Sequence, residues 1–290
     1  MGRLVADPLV SVVVTTYNLQ ELAHRAVRSV LEQTLSSWEL IVVDDASTDD
    51  TATAVLRSFD GSSRCRLVTR TTNSGLPAVA RNDGLRVARG SLVAFLDGDD
   101  YWRAKKLQRQ VRILESLPEV VLVHSQLMQR REKRPSLSMR NLAVTGDAVV
   151  TPQSLSRVNP LMLSSVLIRR KVLEEVGGVP EDPRLRAFED YALWLQAISK
   201  GPFAYCAEIH GWYLVRGNSV SRATPPQEAE RALSEKFGTE VTLSERDARD
   251  PLDQVARTFE RYRTRLSSST MAELDYRTNR SPQVYLAGDS

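Results

Sequence analysis

The chain is poor in the residues that staple small folds together: its 290 residues include two cysteines, Cys65 and Cys206, far apart in sequence, and three histidines. That scarcity offers no disulfide framework and no zinc-ligand spacing, and it fits a reducing cytoplasm. Also missing is any run of about 18 apolar residues, so no membrane span is expected, and no leader segment is evident. The expectation is a soluble, cytoplasmic protein, at most peripheral to the inner face of a membrane. Charge of one sign is lacking too. Thirty-nine Lys and Arg face 36 Asp and Glu, a net of +3, which gives no support to a nucleic-acid partner. The basic stretch from Gln129 to Arg134 reads as a solvated loop. No G-x-G-x-x-G follows the first apolar run and no G-x-x-x-x-G-K-[ST] occurs anywhere, so a dinucleotide dehydrogenase and a P-loop NTPase are both unsupported.

What is present begins with Phe95-Leu96-Asp97-Gly98-Asp99-Asp100-Tyr101-Trp102. The apolar run Leu92 to Leu96 before it reads as a buried strand. A dry strand ending in three carboxylates faces mutual repulsion unless a cation sits there. Oxygen-only ligands point to Mg²⁺ or Mn²⁺, ions that usually bring substrate phosphates with them. The plainer alternative is an acidic turn before a helix.

Upstream, apolar runs alternate with amphipathic segments. Val10 to Val14, Leu40 to Val43 and Cys65 to Thr69 read as strands. Between them, Leu22, Ala26, Val27, Val30 and Leu31 share a helical face, with Asn18 as its expected cap and Glu21 as capping-box partner. Ser47 to Asp50 start a second helix, and Pro77 to Ala88 form a third that stops near Gly90. Such alternation means right-handed βαβ crossovers and a largely parallel sheet flanked by helices, with ligands gathered at the carboxyl ends of the strands. Three polar clusters fall there: Thr15 to Asn18, Asp44-Asp45, and Asp97 to Asp100. After about residue 118 come a strand at Val120 to Val123, a polar irregular stretch from Gln126 to Pro152, an apolar strand at Leu161 to Ile168, and a helix from Ala187 to Ser199 carrying Glu189-Asp190 at its start. Gly177-Gly178 reads as a helix C-cap. Trp102 and Trp194 are expected to pack in the core, and amphipathic stretches recur at Glu228 to Phe237 and Leu252 to Leu266.

In this order, Ser11 to Asn18, Glu39 to Asp49, Asn73-Ser74-Gly75, Ala80 to Gly84, the acidic cluster and Phe188-Glu189-Asp190-Tyr191 resemble the inverting family 2 glycosyltransferases, which have the GT-A nucleotide-diphospho-sugar transferase fold. The resemblance runs over roughly residues 10 to 221. It implies a single sugar moved from a nucleotide-diphosphate donor, UDP-sugar favoured, by metal-assisted single displacement. By position, Thr15 and Tyr17 match residues that contact the base, Asp45 the carboxylate that accepts a base N–H, and Arg81 a residue near the diphosphate. Asp97 matches the carboxylate near the ribose, Asp99 the Mn²⁺ or Mg²⁺ ligand, and Asp190 the catalytic base. Glu189 would bind the acceptor or raise the basicity of its neighbour. The implied layout is a GT-A domain over 1–224, with a nucleotide half 1–118 and an acceptor half 119–224, followed by a helical extension over 225–290 that could pair two copies or fold over the acceptor site.

The chain departs from the family in one informative place. Where many members have a histidine in a segment like Tyr-Arg-x-His-x-x-Ser, this one has Arg216. Arginine cannot ligate a cation but pairs with phosphate oxygens, so looser metal coordination and an Arg216 contact to the diphosphate are expected; His210 lies six residues early. The Q-x-x-R-W motif of processive synthases is absent, which implies one sugar or a few per encounter. The acceptor is open among a glycan, a lipid-linked sugar, a peptide and a small natural product. Two rival readings are a sugar-nucleotide pyrophosphorylase, which would want a glycine-rich loop after the first strand, and a non-catalytic nucleotide-sugar-binding relative, which would want a broken acidic cluster.

Overall fold

A computed structural model describes residues 7–131, 134–138, 149–150, 155, 159, 161–216 and 226–237. The strands β1 (Val10–Thr16), β2 (Trp38–Asp44), β3 (Cys65–Thr69) and β4 (Leu92–Asp97) alternate with helices α1 (Ala23–Leu31), α2 (Thr51–Ser58) and α3 (Pro77–Val87). Pairs β1/β2, β2/β3 and β1/β4 are all parallel, in the spatial order β3-β2-β1-β4. The apolar runs are continuous because both sheet faces are covered. On β1, Val10, Val12 and Val14 enter one core with Ala26, Val27 and Val30 of α1, while Val13 points into another. β4 repeats the division, with Ala94 and Leu96 on one side and Val93 and Phe95 on the other. Helix α3 lies so close to β1 that a Cβ on Gly84 would stand 2.4 Å from Val13 Cγ1, which accounts for glycine inside that helix despite its poor propensity.

Beyond β4 the sheet continues through β9 (Leu167–Arg169), β6 (Leu122–Arg131), β10 (Phe203–Val215) and the two-residue β5 (Tyr101–Trp102). β9 runs antiparallel to both neighbours, whereas β6 and β10 are parallel. β7 (Arg134–Ser138) joins β6 and β8 (Val149–Val150) joins β10. Helices α4 (Lys106–Ser116), α5 (Arg170–Val176), α6 (Glu189–Ala197) and α7 (Pro226–Phe237) complete the layers. α6 is apolar on nearly every side and sits inside the second core through Tyr191, Leu193 and Trp194; α7 adds Ala232 and Leu233 to that core.

The structure corrects several expectations. Of the Leu161 to Ile168 run only Leu167 and Ile168 are strand, in Leu167–Arg169, because Leu163–Ser165 tighten into a 3-10 turn. The described parts of the Gln126 to Pro152 stretch are regular: β6 runs on to Arg131 and pairs with β7, so the basic residues Arg130, Arg131 and Arg134 lie on strands. Asn18 does not cap α1, which starts at Ala23 without a side-chain cap. Instead Asn18 adopts a left-handed φ of 51°, and its Oδ1 accepts from Thr48 N at 2.8 Å, tying two strand-end loops together. The α6 helix is shorter than expected, preceded by Ala187 at φ 67°. The Gly177 cap is left-handed as expected. Leu252 to Leu266 lies outside the described residues.

Candidate active site

Parallel register brings the ends of three strands level, Thr15 pairing with Asp97 on one side and Val43 on the other, Thr16 with Asp44. The sheet order turns outward from β1 in both directions, and crevices at such turning points are where ligands of parallel sheets bind.

The three aspartates after β4 have three different environments. The loop is pinned to β1 by Gly98 N donating to the Thr15 carbonyl at 3.0 Å, and a Cβ on Gly98 would meet that same oxygen at 2.8 Å. Asp97 Oδ1 takes the Arg81 Nη2 at 3.0 Å. Asp99 is about one-fifth exposed and faces Arg216 Nη1 at 3.6 Å. Burial and the nearby Asp97 push its carboxyl up to about 6, against the pull of Arg216. Asp100 is buried, and its Oδ1 accepts the backbone N–H of Leu214 at 2.9 Å; burial and its two sibling carboxylates hold it well above the usual range. Asp100 is thus the structural member of the trio, joining the acidic loop to β10, a role with no sequence signal. Trp102 packs as expected, donating Nε1–H to the Ser164 carbonyl at 2.7 Å.

Across the crevice, α6 opens with Glu189 and Asp190. Arg81 is buried between carboxylates, one guanidinium arm on Asp97 and the other on Glu189. Asp190 accepts from Tyr191 N at 2.6 Å. Burial first, then the Glu189 charge, push its carboxyl up to about 7, with Arg81 pulling the other way. A carboxylate at that position is basic enough to take a proton near neutral pH.

At the β1 end, Tyr17 is 45% exposed, its ring open to stacking, and Thr15 lies beside Asp97 in register. Asp45 is less open. Its carboxylate already accepts from Ser74 Oγ at 2.7 Å, Ser74 N at 3.1 Å and Asn73 Nδ2 at 3.1 Å, with Arg70 Nε at 2.9 Å. It therefore organises the Asn73-Ser74-Gly75 loop, and a ligand N–H reaches it only by replacing a protein donor. Asp44 beneath it holds Thr16 and Ser47.

Beyond Asp100, Tyr101 and Trp212 stack with centroids 4.8 Å apart. Arg25 lies over the Tyr101 ring and Arg103 over the Trp212 ring, and Arg130 donates to the Tyr101 hydroxyl at 3.3 Å. No sequence pattern marks this group, because β5 is too short to leave a periodic trace. Of the expected site residues, the structure gathers Asp97, Arg81 and Asp190 with Glu189 at one point, and Asp99 with Arg216 at another. His210 lies elsewhere, buried beside Glu208.

This fold and crevice define a glycosyltransferase of the GT-A type. The sequence profile of Glycosyl transferase family 2 matches residues 11–177, and the chain belongs to that family. It is 30% identical over 219 residues to the UDP-Glc:alpha-D-GlcNAc-diphosphoundecaprenol beta-1,3-glucosyltransferase WfaP of Escherichia coli, covering 73% of this chain and 80% of WfaP. Among solved structures it resembles S. aureus TarS 1-349 in complex with UDP-GlcNAc, at TM-score 0.66 and 19% identity over 88% of this chain and 72% of TarS. The mannosyltransferase PcManGT of Pyrobaculum calidifontis, in complex with GDP-Man and Mn²⁺, gives TM-score 0.59 and 22% identity over 95% of this chain and 81% of that one. Among the described residues no helix is long and apolar enough to cross a membrane.

Proposed function

We propose that the protein is an inverting glycosyltransferase that moves one sugar from a UDP-sugar to an acceptor hydroxyl by single displacement, with Asp190 as base. The observation that carries this is the Arg81 bridge, which sets Asp97 of the acidic loop and Glu189, next to Asp190, on the two arms of one guanidinium. A donor seated on the acidic loop would then present its anomeric carbon to an acceptor whose proton Asp190 takes. With the base on the face opposite the leaving group, one displacement inverts the centre.

The acidic loop suits Mg²⁺ or Mn²⁺. Asp99 is partly exposed, its donors are oxygens, and its raised carboxyl marks a place where negative charge wants a cation. Asp99 would hold the ion with Asp97 beside it, and the ion would stabilise charge on the departing diphosphate as a Lewis acid. Arg216 stands at the same carboxylate and would take phosphate oxygens. Thr15, Tyr17 and Asp45 would form the base and ribose end, with Asp45 acting through the loop it holds. UDP is supported by the donor named for WfaP and by the UDP-GlcNAc in TarS.

For the acceptor we take the class named for WfaP, a sugar on a diphosphate-linked lipid. The arginines around Tyr101 and Trp212 supply cations for a diphosphate beside the acidic loop. Such a substrate would place the enzyme at the cytoplasmic face of a membrane. The proposed layout keeps the transferase domain at 1–224 and the extension at 225–290, whose helix α7 docks on the core; pairing of two copies through the extension is part of the proposal. The test is transfer from a panel of labelled UDP-sugars to GlcNAc-diphosphoprenol, to free oligosaccharide and to peptide, with Mn²⁺ and after chelation. Product from the lipid acceptor with inverted anomeric configuration supports the reading. Product from oligosaccharide or peptide alone overturns the acceptor class, and retention of configuration overturns the mechanism.

A further inference from the structure

The parallel pairing of β10 with β6 breaks twice, between Cys206 and Ile209 and between Ile209 and Trp212. Bulges of this kind shorten and bend a strand and re-aim its side chains. In a regular strand, residues four apart stand about 13 Å from each other, so side chains at 206 and 210 would not meet. Here the ligand-capable atoms of Cys206, Glu208 and His210 all lie within 4.8 Å of one another. His210 is buried, and among the described residues neither ring nitrogen has a hydrogen-bond partner. Its Nε2 instead points toward Glu208 Oε2 at 3.4 Å. The buried imidazole thus has only this long contact with Glu208 and a second nitrogen without a partner among the described residues, which is costly, and nothing in the transfer reaction uses it.

We propose that Cys206, Glu208 and His210 bind a borderline-soft divalent cation, of which Zn²⁺ is the type, at a site separate from the acidic loop. Thiolate, imidazole and carboxylate together select Zn²⁺ over the hard ions that oxygen ligands prefer. In a tetrahedral zinc site, ligand atoms stand about 3.3–3.8 Å apart given the usual bond lengths, so the three need to close by about an ångström. The groups facing the site fit this use. Arg109 Nε of α4 lies 3.5 Å from Glu208 Oε1, on the oxygen away from His210, where it would orient the liganding carboxylate as outer partners do. Lys106 is buried on the same helix, with its amine on Gln110 Oε1 at 2.8 Å and the Val166 carbonyl at 3.1 Å. Burial depresses its basicity, and a neutral imidazole is the form that ligates. One thiolate and one carboxylate balance a dication. Glu208 is 38% exposed, so entry and a fourth, water ligand come from its side. The ion would brace β10 just before Gly211 and Trp212 pair with β5 and upstream of Leu214 and Arg216, which hold the acidic loop.

The test uses the full chain, stripped with chelator, then held in excess Mg²⁺ and UDP to occupy the acidic loop, and titrated with Co²⁺ as the spectroscopic stand-in for Zn²⁺. The expected result is a thiolate-to-cobalt charge-transfer band in the near ultraviolet, saturating at one equivalent and displaced by Zn²⁺. Cys65→Ser, which leaves Cys206 as the only thiol, keeps the band; Cys206→Ser loses it, and His210→Ala weakens binding at least tenfold. Absence of the band in wild type or in Cys65→Ser overturns the proposal, as does its survival in Cys206→Ser. None of these readouts depends on glycosyl transfer, so the outcome is distinct from that of the function proposed above.

Discussion

Arg81 and Glu189 lie 108 positions apart in sequence and meet as a buried ion pair, the second arm of the same guanidinium resting on Asp97. One residue of α3 thus sets the spacing between the acidic loop and the start of α6. Arg81→Ala would strand two carboxylates without their cation. Breaking a buried pair from one side costs about 3–5 kcal/mol, and that loss is expected in urea unfolding. Arg81→Lys keeps the charge but not the two-armed geometry, so it should recover part of the stability and little of the activity.

Asp190→Asn should lower kcat by about 10²- to 10⁴-fold, the range for a positioned general base, while leaving UDP binding intact. Equal kcat in the variant removes Asp190 from the mechanism.

The pH dependence follows from the same group. As the proposed base, Asp190 would have to be ionised to act, and its carboxyl is pushed up to about 7 by burial and Glu189. kcat/KM should therefore climb with pH and level off above about 7. Stability runs the other way. A carboxyl raised in the folded state favours folding while protonated, below its unfolded value near 4, and that contribution is lost as pH rises through about 7. Chemical denaturation of the ligand-free protein should show stability falling across this window, with a shallower fall in Asp190→Asn.

Asp99 and Arg216 should separate metal from phosphate recognition. In thermal shift with UDP, Asp99→Ala is expected to abolish the extra stabilisation given by Mn²⁺. Arg216→Ala should weaken UDP by about 10- to 100-fold, as expected for a lost charge-assisted contact of about 1.5–3 kcal/mol. Unchanged UDP affinity in Arg216→Ala would show that the arginine serves Asp99 and not the donor.

Gly98→Ala probes the acidic loop itself. Its Cβ would fall 2.8 Å from the Thr15 carbonyl and 2.7 Å from Thr16 Cγ2, so the loop must lift off β1. Overpacking of this kind costs about 1–3 kcal/mol. The expected signature is a lowered melting temperature together with weaker donor binding.

The first half of the fold was legible from the sequence because its strands are buried on both faces. Val10 to Val14 and Leu92 to Leu96 become continuous apolar runs when cores lie on either side, and the polar ends of those runs mark the crevice directly. β10 left no such trace. Its two bulges break the period of two, and Tyr205, Glu208 and His210 interrupt its apolar content. β5 is two residues long and is defined only by its pairing with Gly211 and Trp212.

The sequence by itself determined the residue types, their order and the strand ends at which they fall: Thr15, Tyr17, Asp45, Asp97, Asp99 and Asp190 all lie next to local patterns that short-range physics can read. What only the tertiary structure decided is what each of them faces. That Arg81 locks onto Glu189 and Asp97, that Asp45 is filled by Ser74, Asn73 and Arg70, that Asp100 holds Leu214, and that Cys206 meets His210 across a bulge are outcomes of long-range packing. Charge and burial at those positions come from neighbours many residues away, brought close by the sheet order, and no local pattern encodes them.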